Sequence, residues 1–236
     1  MKKTLFIIAS LALTSVSNAA TTFTKDLTPP QAGAQNTLVY NGITPKMVYN
    51  HQIDEWFRTI QNASLMNQVQ FNEGSLNLQI GAVAAQNKGN CAALHFEMPA
   101  GVSSAELSFT FTKASQWGTN IADFECDYTC TVYGFDDTGV ATEIGSKTLS
   151  NVKSTLQPND PQDVSFSLNV GPNTNYSSYG VIFKSIDTST VNSAAGLSAN
   201  ITNIQITGEA PVVPEPATAS LSLLGLAALM MRRRRA

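Results

Sequence analysis

Histidine, cysteine and tryptophan are scarce in this chain of 236 residues, which has two, three and two of them. The two histidines, His51 and His95, leave a Ser-His-Asp relay only two candidates for its base. His95 alternates with Leu94 and Phe96, which places it on the outer face of a strand. There is no Gly-x-Ser-x-Gly elbow, no His-Glu-x-x-His pair and no glycine-rich phosphate loop. Carboxylates such as Glu97 and Glu106 could serve glycoside chemistry, but nothing in the sequence draws them into a cleft. The chain therefore reads as non-catalytic, with a glycoside hydrolase as the weakest alternative.

Cationic residues are scarce too, once the ends are set aside. Of 14 lysines and arginines, six (Lys2, Lys3 and Arg232 to Arg235) lie in the terminal segments, leaving eight. Of 17 acidic residues only Glu215 lies beyond position 213, so the remaining body carries a net charge near −8. Nucleic-acid binding needs basic patches and is excluded on this ground. An acidic body suits solubility outside the cell or cation binding.

The ends are sorting segments. Met1-Lys2-Lys3 is followed by the apolar run Leu5–Leu13 and the small, polar exit Ser15-Val16-Ser17-Asn18-Ala19. Positive start, apolar core and small-x-small exit make a secretory signal peptide over 1–19, cleaved after Ala19 or the neighbouring Ala20. Nine apolar residues are too few for a membrane anchor, which needs roughly twenty. At the other end, Pro214-Glu215-Pro216 closes a linker over 211–216, ahead of an apolar segment over 217–231 and an arginine stub over 232–236. The apolar segment is about 22 Å long as a helix, short against a hydrocarbon core of about 30 Å. Arg232, Arg233, Arg234 and Arg235 should stay cytoplasmic by the positive-inside rule, so this transmembrane helix tethers the exported body.

Pro-Glu-Pro, short apolar helix and arginine stub, in that order at the extreme C-terminus, resemble the PEP-CTERM signal. The resemblance covers about the last 24 residues. It implies an exosortase-like enzyme as partner, Pro214, Glu215 and Pro216 as its recognition element, and the arginines as retention charge. It further implies a protein delivered to the cell surface or extracellular matrix after an inner-membrane-tethered intermediate.

The body divides into a lead-in over 20–67 and a β-domain over 68–210. The lead-in has a candidate strand at 37–40. Ile53, Trp56, Phe57 and Ile60 fit either a short helix within 52–67 or a strand and turn. From residue 68 the period is two: Leu76-x-Leu78-x-Ile80, Leu94-x-Phe96-x-Met98, Leu107-x-Phe109-x-Phe111, the stripe Phe124 to Val132, Val164 to Val170, 181–186 and 201–206. Pro99-Ala100-Gly101, Asp136-Asp137-Thr138-Gly139 and Gly171-Pro172-Asn173 separate them. This predicts a mainly β fold, a two-sheet antiparallel sandwich flanked by the signal helix and the transmembrane helix. In architecture the pattern resembles jelly-roll carbohydrate-binding-module domains.

Two groups could carry binding. Trp117, Tyr176 and Tyr179 fall in segments rich in amides and hydroxyls that read as loops, and exposed loop rings are what a polysaccharide stacks on. Asp123, Glu125 and Asp127 alternate on one strand and would suit a structural calcium ion, with Asp136 and Asp137 near in the next turn. No other cofactor is expected. Cys126 and Cys130 are about 13 Å apart on one strand, too far to pair with each other; either one bridges to Cys91 or all three remain buried thiols.

Overall fold

A computed structural model describes residues 21–30, 37–38, 56–59, 69–81, 89–117, 125–153, 161–171, 176–187 and 196–210. The segments expected to be a signal peptide (1–19) and a transmembrane helix (217–231) lie outside these. Among the described residues there is no helix, and so none long and apolar enough to cross a membrane.

The body, Thr22–Ala210, is built from two sheets packed face to face. Its strands are β1 (Thr21–Asp26), β2 (Thr37–Leu38), β3 (Trp56–Thr59), β4 (Val69–Asn72), β5 (Ser75–Gly81) and β6 (Gly89–Phe96). Then come β7 (Ser104–Trp117), β8 (Glu125–Phe135), β9 (Ala141–Lys153), β10 (Gln162–Leu168), β11 (Ser178–Asp187) and β12 (Gly196–Ala210). The first sheet has the order β10-β7-β12-β5-β4, with β1 also on β12; the second has the order β2-β3-β6-β11-β8-β9. The registered pairs are antiparallel except β2 with β3, which is parallel.

Of the two readings of the segment around Trp56, the strand is the one adopted. Trp56 lies opposite Leu94 on β6 and drives its ring into the core, 6.0 Å from Phe71 and 6.1 Å from Phe183. Its indole N–H donates to the Leu27 carbonyl at 2.8 Å, so the ring is buried with its polar atom satisfied. Packing between the sheets thus overrides helical spacing. The alternating stripes of β5 to β8 and β10 to β12 supply the rest of the core, with Phe109 edge-on to Phe183 at 5.1 Å and Phe111 against Tyr128 at 4.9 Å.

β12 organises the first sheet. Its first half lies between β7 and β5; the register then slips between Thr202 and Gln205. Asn203 takes the left-handed conformation at this bulge (φ 52°), which asparagine tolerates better than most residues. Past the bulge β1 takes the place of β5: Leu27 N–H donates to the Ile204 carbonyl at 2.7 Å, and Ile204 N–H donates to Thr28 Oγ1 at 2.9 Å. The strand that opens the described chain therefore ends up beside the strand that closes it.

Candidate functional site

A groove of about 440 Å³ opens where β1, β12, β7 and β10 meet at one end of the first sheet. Cross-strand register explains its chemistry. Glu106 lies opposite both Ser167 on β10 and Thr207 on β12, and Ser104 lies opposite Glu209. Residues opposite one another share a face, so these five side chains all stand on the outer face. Their strand neighbours Ala105, Leu107, Leu168 and Ile206 point the other way and are buried. Thr22 comes in from β1, and Asn169 and Gly171 from the end of β10.

Two backbone hydrogen bonds and one ring contact hold the walls. Ser103 N–H donates to the Glu209 carbonyl at 3.0 Å, which extends the β7–β12 ladder past the strand end. Asn169 N–H donates to the Ile144 carbonyl on β9 at 2.7 Å, so this wall is fastened to the second sheet. A side chain at 208 would run into the Ser104 carbonyl on β7 and the Phe23 ring: a Cβ there would sit 2.7 Å from Phe23 Cε1 and closer still to the Ser104 oxygen. Glycine at 208 is what lets β12 lie this close to both β7 and β1.

The described lining contains hydroxyls, one amide, two carboxylates, backbone and the apolar residues Ala105, Leu168 and Val170, with no cation, aromatic ring, histidine or cysteine. Both carboxylates are exposed. By register the Cα atoms of Glu106 and Glu209 are diagonal neighbours, about 7–8 Å apart. The groove can therefore hydrogen-bond a polyhydroxylated chain, mainly as acceptor, and has nothing to stack it on. A larger cavity, about 720 Å³, lies between the end of β1 and Gly74. Its apolar wall, Leu27, Trp56 and Leu94, belongs to the core, each of these being about 3 % exposed.

The residues singled out in the sequence do not converge here. Tyr179 is on β11 rather than in a loop; it is buried and stacks on Phe96 at 5.8 Å. Burial pushes its phenol pKa up, with Tyr176 adding to the shift. Tyr176 is half-buried, 5.9 Å from Tyr179, and its ring covers Gly134, where any Cβ would lie within 2.6 Å of it. Both tyrosines pack at the edge of the sandwich. Trp117 is the last residue of β7, opposite Gly196, not a loop residue. Since Phe109 meets Phe183, and Phe111 meets Tyr128 opposite Ser185, β7 and β11 run in step, and Tyr179 is level with Ala105. Trp117 thus lies about 40 Å from the tyrosines at 3.3 Å per residue.

Of the proposed calcium ligands, Asp123 lies outside the described residues, while Glu125 and Asp127 are half-buried at the start of β8. Asp136 is at the other end of that strand, about 30 Å or more away, and cannot join them. Its carboxylate accepts from Thr138 Oγ1 at 2.7 Å and from the Thr138 and Val140 N–H groups at 2.9 Å. These bonds, the Thr138 hydroxyl foremost, hold its pKa below the ordinary range: Asp136 shapes the β8–β9 turn. Among the described residues no three His, Cys, Asp or Glu side chains could hold a metal together. His95 does stand on the outer face of β6, yet it is buried, edge-on to Phe135 at 5.9 Å.

No family model matches the chain, and no curated protein matches it. Solved structures similar to it include one described as a CBM4 domain, at 9 % identity and a TM-score of 0.40, covering 65 % of this chain and 86 % of that one. Another is a CBM27 module of Caldicellulosiruptor saccharolyticus solved with mannohexaose, at 10 % identity and a TM-score of 0.38, covering 79 % and 97 %. A third is the module TmCBM61, solved with β-1,4-galactotriose, at 12 % identity and a TM-score of 0.38, covering 64 % and 86 %.

Proposed function

We propose that this chain is an exported, non-catalytic surface protein whose β-sandwich binds extracellular polysaccharide in the groove at the end of the first sheet. The observation that carries the reading is that groove: a concave strip of hydroxyl, amide and carboxylate groups contributed by four strands. Hydroxyls and amides recognise sugar hydroxyls as donors and acceptors at once, and a carboxylate can accept from two adjacent hydroxyls.

Export by the 1–19 signal and tethering by the 217–231 segment belong to the same proposal, with Pro214-Glu215-Pro216 as the site where an exosortase-like enzyme releases the body. Hydrogen bonds to sugar contribute about 1 kcal/mol each, and no described lining residue is aromatic, so each groove binds weakly, with Kd of about 0.1–1 mM. Titration of the purified protein with soluble oligosaccharides should show this affinity. It should be lost in Ser104→Leu with Thr207→Leu, which strips two hydroxyls and narrows the groove, and kept in Trp117→Ala. Loss in Trp117→Ala with retention in the double variant would move the site to the other end of the sandwich. The intact mass of the same preparation should place the first residue at Ala20 or Thr21. Residues 217–236 still attached in cells that hold the processing enzyme would refute the sorting half.

A further inference from the structure

We infer that the far half of β12 is a strand-acceptor edge at which β1 exchanges between copies of this chain, so that a second copy supplies the Thr22 wall of the groove. The inference stands on the pairing of β1 with β12, whether or not the groove binds a glycan. The edge is a defined slot. β5 pairs with β12 only as far as Ser75 opposite Thr202, and the bulge at Asn203 then hands the edge from Ile204 to Ala210 over to β1. Leu27 lies beside Ile204 and Phe23 beside Gly208, so the two strands are antiparallel and Thr22 faces Glu209. The slot reads side chains as well as backbone. Glycine at 208 leaves room for the Phe23 ring, and Ile204 N–H donates to the Thr28 hydroxyl at 2.9 Å. Leu27 is buried, its carbonyl accepting from the Trp56 indole at 2.8 Å. Ladder bonds for affinity and side-chain pockets for specificity are how a sheet edge takes an extended segment.

β1 itself is built to leave. Thr21, Thr22, Thr24 and Asp26 are exposed, and Phe23 is only partly buried. On the cleavage proposed after Ala19 or Ala20, β1 is the first segment of the mature chain. It then leaves the edge without threading any other part of the chain past it, and such terminal segments open at small cost. Its other end runs into Pro29-Pro30, which have no N–H to continue a ladder. The Pro29 carbonyl accepts from Gly74 N–H at 3.0 Å, which fixes the body's side of a hinge between Thr28 and Pro29. With β1 swung out, the β12 edge presents open N–H and C=O groups, and the β1 of a second copy matches that slot by identity. Pairing within a chain and between chains makes the same contacts, so their balance follows concentration. Exchange gains as copies approach the effective concentration of a short linker, on the order of 1 mM.

The test uses two single variants of the purified mature protein, Thr22→Cys and Glu209→Cys. By the alternation from Leu27 beside Ile204, these positions form a non-hydrogen-bonded pair, where facing side chains are closest. The three native cysteines are buried. Neither variant has a bridging partner within its own chain, so a disulfide joining the two forms only across copies. Mixed at about 1 mM and oxidised, they should give a mixed dimer that outnumbers the like-with-like dimers several times over. Adding Phe23→Ala to the Thr22→Cys chain should cut that mixed dimer about tenfold, the effect of losing much of a ring's burial. Adding Gly208→Val to the Glu209→Cys chain should do the same by filling the slot. A mixed dimer no more abundant than the like pairs, or one untouched by Phe23→Ala, overturns the inference, because chance collision of surface thiols then explains it. So does failure of the Thr22→Cys, Glu209→Cys double variant to close its bridge within one chain, since β1 would not lie on β12 in this register. Phe23→Ala alters only the exchanging strand, so the result does not depend on Gly208→Val folding. No sugar enters the experiment, so either outcome leaves the glycan reading to its own titration.

Discussion

The outer faces of the two sheets differ in kind. Along Asn200–Glu209 of β12, and on the stretches of β5, β7 and β10 in register with it, the outward positions are Ser, Thr, Asn and Gln, broken by Glu106, Asp163 and Glu209. On the second sheet the outward positions of β6 and β11 include Cys91, Ala93 and Ile182, and the end of β8 adds Phe135, each 3 % exposed or less, with Tyr133 and Ala141 packed against them; Thr131 and Lys184 beside them are half-buried. Alternation along a strand says only that its two faces differ. A sheet with one wet face is the usual antiparallel case, and the first sheet fits it. Over part of β6, β11 and the end of β8 the second sheet is buried on both faces. The wet sheet therefore offers a surface for ligands, while the second spends its outer face on packing.

The largest expected consequence lies at Phe135. Replacing it with alanine removes a fully buried ring from the outer cluster and its edge contact with His95, and should cost about 3–5 kcal/mol in urea unfolding. Ser165→Ala, at an exposed outward position of the first sheet, should change stability by no more than about 0.5 kcal/mol. A cost below about 1 kcal/mol at Phe135 would mean that the second sheet's outer face is solvated and that the two faces are alike.

The cysteines test the same contrast chemically. Cys126 and Cys130 point into the sandwich from β8, whereas Cys91 belongs to the outer cluster on β6. β11 lies between these strands, so they are about 9.6 Å apart and their cysteines face opposite ways, beyond the roughly 7 Å a disulfide spans. Of the two arrangements open to the sequence, three buried thiols is the one adopted. Burial also pushes the Cys130 thiol pKa well up, which leaves it a poor nucleophile. Protein prepared without reductant should take up three alkyl groups in denaturant and none while folded. Uptake of a single group in denaturant would show that two of the cysteines are bridged and that Cys91 does not sit where the outer cluster requires.

Much of the sandwich could be read from alternation, and the exceptions have physical causes. β9 carries Ile144, Leu149 and Val152, whose spacing breaks period two because register shifts between Cys126 and Tyr128 and between Val132 and Tyr133 change which residues face inward. β1 is a threonine-rich edge strand with little apolar signal. Tyr179 was within reach of sequence reasoning: Tyr179, Val181 and Phe183 form one stripe, hidden by the polar residues before it. The groove was not. Thr22, Ser104, Glu106, Ser167 and Thr207 are each ordinary outward strand residues, and only long-range pairing brings them together.

The smallest effect probes whether the first sheet's outer face is ordered or merely wet. Asn77 and Asn200 stand opposite one another on β5 and β12, and the Asn77 amide donates to Asn200 Oδ1 at 2.6 Å. Asn77 is only 8 % exposed, so water cannot fully replace that partner. Asn200→Ala should therefore cost about 1 kcal/mol, more than loss of a solvated hydroxyl such as Ser165. Asn200→Asp keeps an oxygen that can accept from Asn77 and should recover most of that loss. If alanine and aspartate behave alike, the bond contributes nothing and the face is a solvated surface without fixed side chains. If aspartate rescues, the amides at the centre of the face are held in place before any ligand arrives. A face ordered in that way loses less side-chain entropy when a ligand settles on it.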